Sequence, residues 1–344
     1  MKKILLLLVS VLVFAACGDE KGETKLPYIT LKGETMGTTY SVIYNAEGNY
    51  QDLIDQLLKE INSEVNTYDP NAFISKFNAS KEKEFTEMGT VVRHFFTNFE
   101  KAKRVHQATD GYFDPTVMPL VSYWGFGKEK RAVENADVKE IQRLKNLVGL
   151  EKITTALNKE SITVAKENAE MQLDFSALAK GYGVDQVAKL LEEKGVQNYL
   201  VEIGGETVAK GVSNNNKIWS IGINTPSEDA SPSTDFEAII QLENKAIATS
   251  GNYRNYYEVN GKKYAHSINP KTGYSEMNSL LSASVIMDDC MTADAYATSF
   301  MIMGLEKAWE LAEKNKKMLV YFIYDDNGKM KVKYTAGLEK LLVK

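Results

Sequence analysis

The sequence predicts an α+β fold, and three observations carry that prediction. Helical and extended patterns follow one another along the chain without a strict strand–helix–strand rhythm, which disfavours a doubly wound parallel sheet. Apolar residues fill 44% of the 344 positions and charged residues 25%, enough for a substantial core in one large domain or two modest ones. No fixed-period repeat runs through the chain, so solenoids and propellers are set aside.

The N-terminus departs from this globular pattern. Met1-Lys2-Lys3 leads into an apolar run over 4–16, interrupted only by Ser10 and followed by Cys17-Gly18-Asp19-Glu20. A basic start, an apolar stretch too short to span a bilayer and small residues at its end make a secretory signal. The run Phe14-Ala15-Ala16-Cys17 resembles a bacterial lipobox, with Phe where that motif usually carries Leu. The resemblance implies acylation of Cys17, and several acyl chains on one cysteine anchor a protein stably. Cys290 is then left without a partner for an intramolecular disulfide. The expected division is a lipoprotein signal peptide over 1–16, the acylated cysteine and a flexible polar tether over 17–30, and a single large unit over 31–344.

Within that unit, β-branched and aromatic residues predict a strand over 38–44. Leu53, Ile54, Leu57, Leu58, Ile61 and Val65 recur at helical spacing. A second helix is expected over 91–108, a structured loop over 110–127, a helix over 138–147 and a hairpin through 162–164. Val184, Val187, Ala188, Leu190 and Leu191 mark a helix that stops at Lys194-Gly195. Strands are expected over 199–203, 219–223, 238–242 and 246–249, with a Pro- and Ser-containing loop over 225–235. A helix over 292–314 and a strand over 318–323 complete the chain.

Charge and composition exclude several functions. The net charge of −5 argues against a nucleic-acid binder, which normally carries a basic surplus. Two cysteines and three histidines are too few for a zinc cluster or a disulfide framework. The chain has no phosphate-binding GxxxxGK[ST], no full GxGxxG, no GxSxG and no HExxH.

Four islands are more particular than scaffold requires. They are Glu34-Thr35-Met36-Gly37-Thr38-Thr39-Tyr40; Asp110-Gly111-Tyr112-Phe113-Asp114-Pro115 with Trp124-Gly125-Phe126-Gly127; and Leu173-Asp174-Phe175-Ser176-Ala177-Leu178-Ala179-Lys180-Gly181-Tyr182. The fourth joins Ala248-Thr249-Ser250-Gly251-Asn252-Tyr253 and His266-Ser267-Ile268-Asn269-Pro270-Lys271-Thr272-Gly273 to Met291-Thr292-Ala293-Asp294-Ala295-Tyr296-Ala297-Thr298. Taken singly, these residues admit plain structural readings. Asp294 suits a helix N-terminus, with Thr298 packing one turn on; the same carboxylate and hydroxyl on one helix face also suit a hard cation. His266 alone reads as structural before catalytic, Tyr68, Tyr112 and Phe113 are ordinary core aromatics, and Lys180 is either a surface charge or a pyrophosphate partner. Gly204-Gly205 and Gly251 fit turns or close backbone approach, and His94 and His106 read as structural or solvent-facing.

In this order, the islands resemble the ApbE family of FAD:protein FMN transferases over nearly the whole chain after the tether. The resemblance implies an ApbE-like, T-fold-like α+β architecture, with mixed sheets, packed helices and one catalytic unit. It implies FAD as substrate and Mg²⁺ as cofactor, the cation held by Asp294, Thr298 and the backbone carbonyl of Ala177. It assigns Met36, Tyr68, Tyr112, Phe113, Asp114, Asp174, Lys180 and His266 to FAD. His266, in a segment matching the family's HxxxPxTG, is then the expected general base, and with Asp294 the expected catalytic pair.

The implied reaction moves FMN from FAD to a Ser or Thr hydroxyl of an acceptor protein and releases AMP. Family acceptors are membrane electron-transport subunits, and the expected location is exported and lipid-anchored to a bacterial cell membrane, on its periplasmic face or in the envelope. Two alternatives share the motifs: a Mg²⁺-dependent FAD pyrophosphatase giving FMN and AMP, and a non-catalytic FAD-binding lipoprotein. Loss of residues 1–16 removes Lys2 and Lys3 and no acid, so the remaining chain is more acidic still. An anionic dinucleotide therefore requires local positive charge, for which a carboxylate-held Mg²⁺ near Lys180 is the simplest source.

Overall fold

The computed structural model describes residues 26–88, 92–158, 161–226, 236–252 and 256–343. The signal peptide, Cys17 and most of the tether lie outside the described residues, as do residue 91 and most of the loop expected over 225–235. The first half contains β1 (Tyr28–Thr35), β2 (Thr38–Asn45), α1 (Gln51–Val65), α2 (Phe73–Ala79), β3 (Glu84–Met88), α3 (Arg93–Ala108), α4 (Met118–Tyr123), α5 (Val138–Lys145), β4 (Ile153–Leu157) and β5 (Ser161–Lys166). The second half contains α6 (Ala179–Glu193), β6 (Tyr199–Ile203), β7 (Glu206–Lys210), β8 (Trp219–Asn224), β9 (Phe236–Leu242), β10 (Lys245–Gly251), β11 (Tyr256–Val259) and β12 (Lys262–Ala265). It ends with β13 (Leu280–Met287), α7 (Cys290–Met303), α8 (Leu305–Lys314), β14 (Leu319–Asp326) and β15 (Lys329–Tyr334).

One sheet organises the molecule. Its eight strands run β1-β2-β6-β7-β10-β13-β14-β15, and every neighbouring pair is antiparallel. The α+β expectation therefore holds. Side chains of one strand point alternately to the two faces, and the two faces carry different cores. Val208, Ala246, Ala248, Ala283, Val285, Val320 and Phe322 join the large core built with α6 and α7. Their neighbours Ala209, Ile247, Ile286, Tyr321 and Ile323 meet Trp219, Ile223, Ile240 and Leu242 of the β8–β9 hairpin on the opposite face.

Local sequence explains the main departures. β1 begins at Tyr28, so residues 28–30 belong to the sheet rather than to the tether. It turns into β2 through Met36 and Gly37, with φ of 51° and 73°, the two-residue geometry that matches strand twist. The helix expected over 292–314 is two helices, because Gly304 adopts φ 76° and ends α7. The segment expected as a loop over 110–127 contains a 3₁₀ turn at Pro115–Val117 and helix α4. The hairpin expected through 162–164 is β4–β5, with β3 as a third strand.

α6 and α7 pack closely where the chemistry-bearing residues lie. A Cβ on Gly181 would stand 2.5 Å from the Cys290 carbonyl oxygen and 2.8 Å from Met291 Cα. Only a glycine admits that approach.

Candidate active site

A cavity of about 440 Å³ opens where α6, α7, the end of β10, the β6–β7 turn and the 112–117 and 266–270 segments converge. Tyr68, Tyr112, Phe113, Asp114, Asp174, Ala177, Lys180, His266, Asp294 and Thr298 all line it. Met36 does not. It sits at the β1–β2 turn, and its Cε is 3.1 Å from the position a Cβ on Gly183 would take, so its side chain packs on α6 one turn beyond the cavity. A second, slightly larger cavity of about 500 Å³ is lined by Ser75, Asn78, Met118, Arg131, Glu140 and neighbours. It holds none of the residues singled out from the sequence, and volume alone does not make a site.

The polar end of the cavity is built by two helix starts. Asp294 is 2% exposed and lies in the second turn of α7, whose own cap is Asp289 accepting from the Thr292 N–H at 2.9 Å. Asp294 instead accepts the Gly181 N–H of α6 at 3.1 Å through Oδ2, so the plain cap reading applies to the neighbouring helix. Thr298, one turn along on the same face, has its Oγ1 3.2 Å from Ser250 Oγ of β10. The Asp174 carboxylate accepts the Ser176 N–H at 2.9 Å and the Ser176 hydroxyl at 2.6 Å. That local turn sets Ala177 at the cavity wall just before α6.

Lys180 is not a surface charge. Its Nζ lies 3.0 Å from Glu206 Oε1 and 3.7 Å from Asp294 Oδ2. Burial alone would push the ammonium pKa down, but the Asp294 and Glu206 carboxylates outweigh that and hold it above the ordinary lysine value. Burial pushes the Glu206 carboxyl up, reinforced by Asp294 and opposed by Lys180. Glu206 escaped the sequence reading: a lone carboxylate opening a strand has no periodic signature. The adjoining Gly204-Gly205 pair was the available signal. A Cβ on Gly204 would lie 2.8 Å from Thr38 Cγ2 and 3.4 Å from Lys180 Cδ, and both glycines take positive φ.

The other end is aromatic. Tyr68 is 60% exposed at the rim. Tyr112 is buried, its hydroxyl 2.5 Å from Lys307 Nζ and its ring 4.5 Å below Lys271 Nζ, a cation–π arrangement that immobilises the ring. Phe126 meets His266 edge-on, with ring centroids 6.4 Å apart. Asp114 also lines the cavity, but its carboxylate is engaged by the Thr116 N–H at 2.9 Å, the Thr116 hydroxyl at 2.5 Å and the Leu150 N–H at 3.3 Å. It holds the Tyr112–Pro115 backbone in place.

Of the chain's three histidines, only His266 lines the cavity. His94 Nδ1 is 2.8 Å from the Tyr182 hydroxyl, and burial lowers its pKa. His106 donates from Nδ1 to the Phe113 carbonyl at 2.8 Å, so it supports the cavity wall from behind.

The chain is similar to known proteins over most of its length. Residues 36–322 match the model of the ApbE family. The chain is 39% identical over 351 residues to the FAD:protein FMN transferase of Haemophilus influenzae, covering 99% of each chain. It is 37% identical over 334 residues to that of Vibrio cholerae, covering 95% of this chain and 96% of the other. Among solved structures, the flavin transferase ApbE from Vibrio cholerae superposes with a TM-score of 0.80 at 35% identity, over 92% of this chain and 99% of that one. The apo flavinyl transferase ApbE of Pseudomonas stutzeri superposes with a TM-score of 0.81 at 28% identity, over 92% and 97%.

Proposed function

The chain belongs to the ApbE family, and from that premise we propose that it transfers FMN from FAD to a Ser or Thr hydroxyl of an acceptor protein, releasing AMP. One observation supports this reading above others. Ten residues that the family resemblance assigns to FAD and its cation, drawn from separate elements of the chain, line a single cavity.

The residues fit a divalent cation of the Mg²⁺ kind. Asp294 and Thr298 share one face of α7, Ala177 stands at the same wall, and Glu206 Oε2 is buried there without a hydrogen-bond partner among the described residues. Among those residues no group of three His, Cys, Asp or Glu side chains is placed to hold a metal. The donors here are a carboxylate, a hydroxyl and a backbone carbonyl, an oxygen set that suits a hard cation completed by phosphate and water. When bound, such a cation neutralises charge on the pyrophosphate and polarises the phosphorus under attack.

This chain's own residues supply the rest. Lys180 brings an ammonium to the pyrophosphate end, fixed there by Glu206 and Asp294. The Tyr112, Phe113 and Phe126 walls, with Tyr68 at the rim, offer apolar surface to the isoalloxazine ring. His266 takes the proton from the acceptor hydroxyl as its oxygen bonds to the FMN-side phosphorus, and the phosphorus–oxygen bond to AMP breaks. Catalysis of this kind is positioning and charge stabilisation. Outside the described residues, the same reading takes residues 1–16 as an export signal and acylated Cys17 as the anchor to the membrane. It presents the chain from Tyr28 onward as one catalytic unit to a membrane electron-transport acceptor. Among the described residues no helix is long and apolar enough to cross a membrane.

The test is direct. Protein lacking residues 1–17 is incubated with FAD, Mg²⁺ and an acceptor domain, and the acceptor is weighed by mass spectrometry. A mass gain equal to one FMN on a Ser or Thr is the expected result. AMP release with an unmodified acceptor would make the enzyme a pyrophosphatase, and FAD binding without turnover would make it a carrier.

A further inference from the structure

Glu206 is the feature of this site that the transfer reading leaves unexplained. It is 4% exposed, opens β7 directly after the Gly204-Gly205 turn and lines the same cavity as Asp294. Its Oε1 meets Lys180 Nζ at 3.0 Å, while Oε2 is buried with no hydrogen-bond partner among the described residues. A bare buried carboxylate oxygen is costly. Among the described residues Glu87 Oε2, whose partner oxygen meets Lys76, is left in the same way, but Glu87 does not line this cavity and Glu206 does.

The charges at this point are two carboxylates, Glu206 and Asp294, bridged by one ammonium. With both carboxylates ionised the group is net negative and would repel a pyrophosphate. A divalent cation reverses that sign. Lys180 already occupies the electrostatic place of a cation, between both carboxylates, at 3.0 and 3.7 Å.

We propose that Glu206 is the second carboxylate of the cation site, binding the ion through Oε2, and that Lys180 is the built-in counter-ion that holds both carboxylates until the ion arrives. The inference rests on the reading of Asp294 and Thr298 as cation ligands. Arrival of the divalent ion repels the ammonium from Asp294 and turns it toward the pyrophosphate, so one lysine serves the empty and the loaded site in succession. An ion held by two carboxylates also binds before FAD does, because the site no longer depends on substrate phosphates for its negative charge.

The experiment uses Mg²⁺ alone, without FAD. Calorimetric titration and melting temperatures in EDTA and in saturating Mg²⁺ are compared for wild type, Glu206→Gln, Lys180→Met and Asp294→Asn. Wild type should bind Mg²⁺ and Asp294→Asn should not. Glu206→Gln should bind about tenfold or more weakly, the loss typical when a supporting metal-site group is removed. Lys180→Met, left with two uncompensated carboxylates, should melt lower than wild type in EDTA and recover that deficit in Mg²⁺. Wild-type Mg²⁺ affinity in Glu206→Gln, or a Lys180→Met deficit that Mg²⁺ leaves untouched, overturns the proposal while the cation reading stands. No Mg²⁺ uptake by wild type, with or without FAD, overturns both. Should Glu206→Gln not fold, Glu206→Asp, with its charge drawn back by one methylene, must bind Mg²⁺ more weakly than wild type.

Discussion

Asp185 and Asp294 cap each other's helices. Asp185, on α6, accepts the N–H groups of Cys290 and Met291 at 2.8 and 2.9 Å, where α7 begins. Asp294, on α7, accepts the Gly181 N–H at 3.1 Å in the first turn of α6. Each carboxylate satisfies orphan donors and faces the positive end of the partner's dipole. The pair locks the two helices that carry Lys180, Asp294 and Thr298.

Asp185→Asn tests this lock. One amide oxygen can serve only one of the two N–H groups, and the amide nitrogen confronts the other. The expected loss is about 1–3 kcal/mol of stability, the cost of a buried donor left unpaired, read from denaturant midpoints. Asp185 is not among the residues lining the cavity, yet transfer should weaken through Asp294. Raising Mg²⁺ should recover the rate, and denaturant midpoints taken at the same Mg²⁺ concentrations separate this from a gain in stability by ligand binding.

Gly181→Ala should be more damaging. The added Cβ would meet backbone atoms of Cys290 and Met291 at 2.5–2.8 Å, so α6 and α7 must move apart. Overpacking against backbone costs about 1–3 kcal/mol, more than the helix gains from replacing glycine. Gly183→Ala is the control. There the nearest atoms are the side-chain tips of Ile203 and Met36 at 3.1 Å, and stability should change by less than about 1 kcal/mol. Thermal melts of both variants, with Mg²⁺-dependent transfer measured alongside, check the contrast.

The elements visible in the sequence are those with one wet face. In α1, Ile54, Leu58, Ile61 and Val65 are buried and their 3.6-residue spacing shows through. In β2, alternate residues Tyr40, Val42 and Tyr44 are buried. β13 was invisible because both of its faces are covered: Leu280, Ser282, Ala283, Ser284, Val285 and Ile286 are all buried, which erases the period of two. α7 is likewise buried on nearly every side, so its boundary with α8 depends on one positive-φ glycine rather than on any apolar stripe. The site was legible as ordered motifs, and ten of its residues converge. Met36 and Glu206 mark the limit. Which wall of α6 a hairpin-turn methionine reaches, and which lone carboxylate faces a helix start, are consequences of packing.

Glu64 predicts a pH dependence. It lies on α1, 8% exposed, and accepts the Phe95 N–H of α3 at 2.8 Å. Burial pushes its carboxyl up to about 7, although hydrogen bonds from the Phe95 and His94 backbone pull the other way. Between its unfolded value and about 7 the native state holds a proton that the unfolded chain has released. Stability therefore falls as pH rises through that window, by up to about 3 kcal/mol. Glu64→Gln removes this dependence. Urea titrations of both proteins at pH 4.5 and 8 should show the mutant gaining on wild type at the higher pH. A constant difference across the window would show that Glu64 does not titrate there.

His266→Ala separates chemistry from binding. His94 and His106 are engaged at Tyr182 and Phe113, so neither stands in for the lost imidazole at the cavity. A general base contributes roughly 10²–10⁴-fold in rate, and the transfer rate at saturating FAD should fall by about that factor. FAD affinity, measured by flavin fluorescence, should change little, because the aromatic wall and the Lys180 end are untouched. A wild-type rate with intact binding would remove His266 from the proton transfer. A lost affinity with an unchanged saturated rate would make it a binding residue beside Phe126, which its ring meets edge-on.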